Sequence, residues 1–207
     1  MNAAQDKESD RGLLVVMSGP SGVGKTTIVH ALEQRLGGAF SVSATTRPKT
    51  SAELHGRDYL FHDEEEFQAM IDRGEFLEYA QVFGKHWYGT PREPVERLLD
   101  EGQLVILDID VQGARQVKTS MPEAFSVFIL PPSEEELLRR LRARGRDDEQ
   151  AIQRRFSEAK QEIHFARTGA CYDAFVVNDQ LDDAIEKVVQ LVSDRRTAHH
   201  GTPNPRQ

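Results

Sequence analysis

A glycine-rich segment near the start of the chain constrains the fold more than any other feature. The segment fits the pattern G-x-x-x-x-G-K-[ST] and consists of Gly19, Pro20, Ser21, Gly22, Val23, Gly24, Lys25 and Thr26. It lies between an apolar run, Leu13–Met17, and a stretch whose apolar residues recur at helical spacing. When a glycine-rich segment connects a buried strand to a helix, the backbone N–H groups of the segment close around phosphate oxygens. The N-terminus of the helix adds partial positive charge. The full pattern in this context disfavours the alternative, a simple turn before a helix.

This segment, Gly19–Thr26, therefore predicts a loop that binds the phosphates of a nucleoside triphosphate, and we call it the phosphate loop. The amino group of Lys25 would reach the β- and γ-phosphates, and the hydroxyl of Thr26 is placed to ligate Mg²⁺. The pattern indicates that a triphosphate is bound, and says little about the reaction that follows.

Apolar runs alternate with helical patterns along much of the remaining chain. The runs Leu104–Leu107, Phe125–Leu130 and Ala174–Val177 are largely apolar, as expected of strands buried on both faces. Each run is followed by a stretch with helical spacing of apolar residues. This alternation predicts an α/β fold, a P-loop NTPase-type parallel sheet flanked by helices.

One segment, about residues 41–90, departs from that alternation. Two short strand-like runs, Tyr59–Phe61 and Phe76–Val82, flank a helical stretch that begins after Asp63. The segment carries aromatic and turn residues instead of long buried strands. We therefore predict a single domain over residues 12–195 with a small α+β lobe inserted into it. In residue numbers, the division is a flexible tail over 1–11, a core over 12–40 and 91–195, the lobe over about 41–90, a helical lid over about 133–168 and a second tail over 196–207.

Composition and charge exclude several classes of function. The 26 Lys and Arg residues against 34 Asp and Glu residues give a net charge of −8, which disfavours nucleic acid binding by bulk charge. The single cysteine, Cys171, excludes an internal disulfide and indicates a reducing compartment. No apolar run approaches the roughly 20 residues of a spanning helix, and the polar first residues do not resemble a secretory signal. We expect a cytoplasmic protein without a membrane partner.

Two sets of charged residues are candidates for catalysis. Asp108 and Asp110 follow a buried strand, where a carboxylate near a phosphate loop usually serves the metal and its waters. Asp110 equally fits the N-cap of the next helix. Arg140 and Arg144 share one face of a predicted helix, and Arg155 lies on the next one. Guanidinium groups suit the charge of a transferring phosphoryl group, although solvated helix faces explain most such arginine runs.

Taken together, these residues resemble one family, the guanylate kinases, from about Leu13 to Val192. Four blocks carry the resemblance: Gly19–Thr26; Ser41–Arg47 with Glu53, Gly56, Tyr59 and Phe61; Glu78–Ala80 with Tyr88–Thr90; and Leu107–Gly113 with Pro131–Ser133, Arg140-Leu141, Arg144-Gly145 and Val177–Asp179. The phosphate loop is widespread among proteins, whereas the second and third blocks together are specific to this family and its relatives.

The resemblance implies transfer of a phosphoryl group from ATP to GMP, and to dGMP, with Mg²⁺ and without a covalent enzyme intermediate. It implies that guanine is read by Ser43, Glu78 and Thr90. Guanine offers two adjacent donors to one carboxylate and adenine does not, so a buried Glu78 would discriminate strongly. The resemblance also implies that Arg47, Tyr59 and Tyr88 bind the GMP phosphate and that Asp108 contacts the acceptor and the metal. It implies that Arg140, Arg144 and Arg155 stabilise the transferring phosphoryl group. Asn178 would lie near the adenine of ATP.

Structural alternatives exist for several of these residues. Thr90 also fits a helix cap with Glu93, Tyr59 and Tyr88 also fit core aromatics, and Glu78 also fits a solvated strand residue.

The sequence departs from the family pattern at two places. A second phosphate-binding arginine is replaced by Thr50, preceded by Lys49, which supplies charge without a bidentate fork. The turn Gly84–Trp87 is a residue longer than is common, which predicts a shift of the residues that follow it.

Two other functions remain open at this point. One is a P-loop kinase that acts on a different phosphorylated acceptor. The other is a guanylate-kinase-like module that binds protein partners without catalysis. The sequence does not decide between a monomer and a homo-oligomer.

Overall fold

Two sheets and their covering helices make up the described part of the chain. The computed structural model describes residues 11–82, 84–143 and 148–201. In chain order the elements are β1 (Leu14–Ser18), α1 (Lys25–Leu36), β2 (Ala39–Phe40), β3 (Ala44–Thr45), β4 (Leu60–Phe61), α2 (Glu64–Asp72), β5 (Phe76–Val82), β6 (His86–Pro91), α3 (Arg92–Asp100), β7 (Val105–Asp108), α4 (Val111–Ser120), β8 (Phe125–Leu130), α5 (Glu134–Ala143), α6 (Glu149–Thr168), β9 (Ala174–Val177) and α7 (Leu181–Gly201). These bounds confirm the strands predicted at each apolar run to within a residue or so at either end.

The larger sheet is parallel and has the strand order β2-β7-β1-β8-β9. Its central strand, β1, is buried at every position because helices cover both faces of the sheet, which explains its unbroken apolar sequence. Met17 pairs with Asp108 across β1 and β7. The carboxyl ends of these two strands, and the loop that follows β1, therefore meet at one edge of the sheet. The α/β class is confirmed.

Helix α1 is flanked by two glycines whose backbone is left-handed. Gly24 precedes the helix with φ of 93°, and Gly37 follows it with φ of 69°. The N–H of Gly37 donates to the carbonyl of Glu33 at 2.9 Å, which ends the helix where the sequence predicted. Ile28 and Leu32 anchor α1 against the sheet. No side chain among the described residues caps the N-terminus of α1, so its first N–H groups are available to an anion.

A smaller sheet, with the order β4-β3-β6-β5, lies within the segment predicted to be a lobe. Its register places Ala44 opposite Gly89 and Glu78 opposite Thr90. Ser43 immediately precedes β3, so extending the antiparallel register of Ala44 with Gly89 by one residue sets Ser43 opposite Thr90. Three adjacent strands thus align Ser43, Thr90 and Glu78 on one face, because directly opposed residues share a face. The shift predicted from the longer turn before Trp87 stays a prediction.

Helix α2 covers the other side of this smaller sheet. Its N-cap is Asp63, whose carboxylate accepts from the N–H of Glu66 at 2.8 Å, as predicted. Phe67 is fully buried and stacks on Phe76 at 4.6 Å between ring centroids. The lobe therefore has a small apolar core of its own.

The helical content predicted for the lid is present in α5 and α6. The hydroxyl of Ser133 accepts from the N–H of Glu136 at 3.1 Å and begins α5 as predicted. The predicted second tail is wrong over residues 196–201, where α7 continues to Gly201. The sequence there contains no glycine or proline before Gly201, and its basic residues suit a helix C-terminus. The predicted tail residues 1–10 and 202–207 lie outside the described ranges.

Among the helices of residues 11–82, 84–143 and 148–201, none is long and apolar enough to cross a membrane.

Candidate active site

The phosphate loop encloses a cavity of about 390 Å³ at the carboxyl ends of β1 and β7. Lys25 and Thr26, in the first turn of α1, contribute to its wall, together with Asp108, Asp110 and Glu162. The ammonium of Lys25 forms an ion pair with Asp108, and the side chain of Lys25 is 17% exposed while that of Asp108 is 30% exposed. The cavity therefore combines backbone N–H donors, one cation and oxygen ligands, a set suited to a polyphosphate with its metal ion.

One predicted lid arginine reaches this loop in the structure. The guanidinium of Arg155, on α6, donates to the hydroxyl of Ser21 at 2.5 Å. The guanidinium of Arg140 donates to Glu136 at 2.7 Å and to the main-chain carbonyl of Asn178 at 2.9 Å. Of these two arginines, Arg155 therefore bonds to the phosphate loop directly, whereas Arg140 bonds to Asn178, whose amide donates to the loop. Arg144 lies outside the described residues.

Asn178 lies beneath the phosphate loop at the end of β9. The side chain is almost completely buried, at 4% exposure. Its amide Nδ2 donates to the carbonyl of Val23 at 2.8 Å. This residue was predicted to lie near a bound adenine, and the contact that the structure shows is with the loop.

Glu78 and Thr90 form a buried pair on the smaller sheet. The Thr90 hydroxyl donates to Glu78 Oε1 at 2.6 Å, and Glu78 is only 8% exposed. Burial raises the pKa of the Glu78 carboxyl to about 7, with a further contribution from Asp110, while the Thr90 hydrogen bond opposes the shift. Glu78 is therefore not a solvated strand residue. Helix α3 begins after Pro91 without a side-chain cap, so the capping interpretation of Thr90 is wrong.

Gly113, in the first turn of α4, leaves the room that this carboxylate occupies. A Cβ atom at Gly113 would lie 2.9 Å from Glu78 Oε2, closer than carbon and oxygen atoms normally approach. Asp110 begins the same helix as its N-cap, accepting from the N–H groups of Gln112 and Gly113 at 2.9 and 2.8 Å. The cap interpretation of Asp110 is confirmed, and the carboxylate also lines the phosphate-loop cavity.

Arg47 is surrounded by the two tyrosines predicted to act with it. Its guanidinium lies 5.3 Å from the centre of the Tyr59 ring, and the Tyr59 and Tyr88 rings are 6.0 Å apart. Glu53 holds the guanidinium through two hydrogen bonds of 2.5 and 3.0 Å. Arg47 is the main reason that the pKa of Glu53 falls to about 2, and Glu53, followed by Tyr88, raises the pKa of Arg47. Tyr59 and Tyr88 are only half-buried, so they are not core aromatics.

Thr50, the residue in place of an arginine, interacts with Glu53 as well. Its backbone N–H and its hydroxyl donate to Glu53 Oε2 at 2.9 and 2.8 Å. Lys49 is exposed beside it. The two groups of Thr50 and the guanidinium of Arg47 therefore all donate to the Glu53 carboxylate.

Sequence reasoning missed the roles of Glu53 and Glu162. Glu162, on α6, lines both the phosphate-loop cavity and an adjacent groove of about 820 Å³ between α4 and α6. Burial, then Asp110, raises the pKa of its carboxyl to about 7, while the Lys25 charge lowers it. Nothing in the local pattern of α6 distinguishes Glu162 from its other acidic residues. Glu53 belongs to the second block of residues that carries the family resemblance, but the sequence did not indicate that it pairs with Arg47.

Comparisons with known proteins show what the chain is similar to. A family profile described as guanylate kinase matches residues 11–195. The guanylate kinase of Synechocystis sp. is 47% identical over 92% of this chain and 98% of its own length. That of Alkalilimnicola ehrlichii is 50% identical over 89% of this chain and 90% of its own length. The crystal structure of guanylate kinase from Anaplasma phagocytophilum covers 90% of this chain and 87% of that chain, with 33% identity and a TM-score of 0.66.

Proposed function

The chain belongs to the guanylate kinase family, and we propose how its residues carry out the transfer of a phosphoryl group from ATP to GMP. It is a kinase that phosphorylates GMP to GDP, with ATP as co-substrate. The observation that supports the residue assignment best is the buried pair of Glu78 and Thr90, aligned with Ser43. An ionised Glu78 accepts hydrogen bonds from the N1–H and the amino group of guanine. Adenine would leave that buried carboxylate unpaired, which is costly.

On the donor side, the phosphate loop and α1 hold the triphosphate of ATP. Lys25 turns from Asp108 to the β- and γ-phosphates, where its charge offsets the charge that develops during transfer. The hydroxyl of Thr26 and the carboxylate of Asp108 share this cavity with space for water. Oxygen ligands of this kind fit Mg²⁺, which is usually held by few protein groups plus phosphates and water. A bound Mg²⁺ would neutralise the phosphate oxygens and orient them.

On the acceptor side, Arg47, Tyr59 and Tyr88 hold the phosphate of GMP. The ring of Tyr59 and the carboxylate of Glu53 keep the guanidinium of Arg47 in place before the phosphate arrives. Such preorganisation reduces the ordering cost of binding. None of the assigned contacts requires a 2′-hydroxyl, so dGMP is included among the acceptors.

The lid completes the site when both nucleotides are bound. The hydrogen bond from Arg155 to Ser21 supports its assignment to the transferring phosphoryl group, and Arg140 on α5 and Arg144 are assigned to the same group. Closure of the lobe (41–90) and the lid (133–168) onto the core (12–40 and 91–195) would exclude water as a competing acceptor. Catalysis then consists of positioning and charge stabilisation without a covalent enzyme intermediate. We also propose a cytoplasmic location, which the single Cys171 supports.

The pH dependence of GMP use tests the assignment of Glu78. We expect kcat/KM for GMP to rise with pH and to level off above about 7, the pKa of the Glu78 carboxyl. Below that pH the carboxyl is protonated, and it must lose the proton before it can accept hydrogen bonds from both guanine donors. The free energy needed for this deprotonation weakens GMP binding. The measurement is kcat/KM for GMP between pH 5.5 and 8.5.

The control for this profile is Glu78→Gln, which cannot titrate. The GMP phosphate itself titrates near pH 6, roughly like other phosphate monoesters, and its effect persists in both proteins. Profiles of the same shape for the wild-type protein and Glu78→Gln would contradict the role of Glu78.

The missing second arginine predicts that GMP binding can be strengthened. We expect Thr50→Arg to lower KM for GMP about tenfold with little change in kcat, because a guanidinium adds a charge-assisted, bidentate contact to the phosphate. Steady-state kinetics with GMP at saturating ATP measure both constants. Thr50→Met is the matched control, since it removes the hydroxyl bond to Glu53 without adding charge. An unchanged KM in Thr50→Arg would mean that Lys49 already supplies the missing contact.

A further inference from the structure

Asn178 connects three parts of the donor site. Its backbone N–H donates to the carbonyl of Leu130 on β8 at 2.8 Å. Its side-chain amide donates to the carbonyl of Val23 in the phosphate loop at 2.8 Å. Its backbone carbonyl accepts from Arg140 on α5 at 2.9 Å. The residue is thus fixed to the sheet on one side and contacts both the loop and the first lid helix.

The amide of Asn178 fills the space directly below Gly24. A Cβ atom at Gly24 would lie 2.5 Å from Asn178 Nδ2, and the φ of Gly24 is +93°. Any side chain at residue 24 would therefore displace the amide and strain the backbone. The loop and Asn178 are packed as one unit at this point.

The hydrogen bond to Val23 determines where the next backbone N–H points. The carbonyl of Val23 and the N–H of Gly24 belong to the same planar trans peptide, so they point in opposite directions. Asn178 holds the carbonyl on the buried side of the loop. The N–H of Gly24 must then face the opposite side, where Gly24 lines the phosphate-loop cavity.

We propose that Asn178 is a positioning residue that keeps the peptide between Val23 and Gly24 oriented with its N–H toward the phosphates of the donor. This inference rests on the proposed role of the loop in binding a triphosphate. Asn178 acts through the loop, since it is not among the described residues that line the cavity. The bond from Arg140 to the same residue adds a physical link between the lid helix and the loop.

The competing role for Asn178 is a direct contact with adenine. Its Oδ1 atom is buried and has no hydrogen-bond partner within the described part of the chain, and an acceptor of this kind matches the amino group of a base. The two roles differ in one respect that can be measured. A loop held in the correct orientation matters equally for any triphosphate, whereas a base contact matters only for ATP.

The test is the binding of inorganic tripolyphosphate and of ATP, each with Mg²⁺, to the wild-type protein and to Asn178→Leu. Leucine has a similar shape but cannot donate to Val23. We expect Kd to rise about tenfold for both ligands, the effect of losing roughly one hydrogen bond to a charged group, and KM for GMP to stay unchanged. Gln180→Leu, an amide exchange at an exposed residue two positions away, should leave both Kd values unchanged.

Three outcomes would overturn the inference. An unchanged tripolyphosphate Kd with weaker ATP binding would assign Asn178 to the base, and unchanged binding of both ligands would leave it no role in the donor site. A wild-type protein that binds neither ligand would overturn the assignment of the loop itself. If Asn178→Leu does not fold, as judged by circular dichroism, Asn178→Ala removes the same donor without requiring a larger side chain to fit, and the same criteria apply.

Discussion

Replacement of Glu78 by glutamine is expected to lower kcat/KM for GMP about 1,000-fold, because a buried site built to pair with two donors loses its charge and one acceptor. The amide of glutamine places an N–H group opposite one of the guanine donors, so one hydrogen bond becomes a repulsive contact. The fall should appear mainly in KM for GMP, while KM for ATP stays unchanged. Steady-state kinetics with each substrate varied in turn provide the measurement.

Two controls separate this effect from a general loss of structure. Glu75→Gln makes the same exchange at an exposed residue of the same lobe, where the carboxylate pairs with Arg73. It should retain the wild-type kinetics. Thr90→Val removes the hydroxyl that donates to Glu78 and should produce a smaller loss than Glu78→Gln. A Glu78→Gln protein that uses GMP as well as the wild type does would refute the assignment of guanine recognition to this residue.

Replacement of Lys25 by methionine is expected to lower kcat about 1,000-fold, since we assign to Lys25 the charge that stabilises the phosphoryl group during transfer. Methionine keeps most of the length of the side chain, so the wall of the cavity remains. The folded state should be little affected, because the partner left behind, Asp108, is about one-third exposed at 30% and stays solvated. Single-turnover phosphotransfer at saturating ATP and GMP measures the chemical step directly.

The matched control is Lys187→Met, an exposed lysine on α7 that is not among the described residues lining the phosphate-loop cavity. It should leave kcat unchanged. The affinity of Lys25→Met for GMP should also match that of the wild-type protein, because Lys25 belongs to the donor side. A Lys25→Met protein with wild-type kcat would mean that the loop holds its ligand without taking part in transfer.

Local sequence patterns predicted the elements whose determinants are local. The phosphate loop, the buried strand before it and the end of α1 at Gly37 each depend on residues within a short stretch of chain, and the structure agrees with all three. The N-cap at Asp63 and the cap at Ser133 are of the same kind. In each case the backbone conformation and the capping group lie close together in sequence.

The contacts that define the site depend on long-range register, which local patterns do not contain. The pairing of Glu78 with Thr90 requires the antiparallel register of β5 and β6, and the alignment with Ser43 requires that of β3 and β6. Family resemblance named these residues, but their burial and the raised pKa of Glu78 follow only from the folded sheet. The position of Arg140 beside Asn178 was likewise missed, since helical spacing alone grouped it with Arg144.

A phosphotransfer assay with a series of acceptors is the decisive test of the assigned guanine site. The protein, ATP and Mg²⁺ are combined with GMP, dGMP, AMP, CMP or UMP, or with no acceptor, and parallel reactions contain EDTA. We predict rapid formation of GDP and of dGDP, little product from AMP or the pyrimidine nucleotides, slow loss of ATP without an acceptor, and no transfer in EDTA. Comparable rates with AMP and GMP, or no transfer to GMP, would contradict the reading of guanine by Glu78 and with it the proposed site.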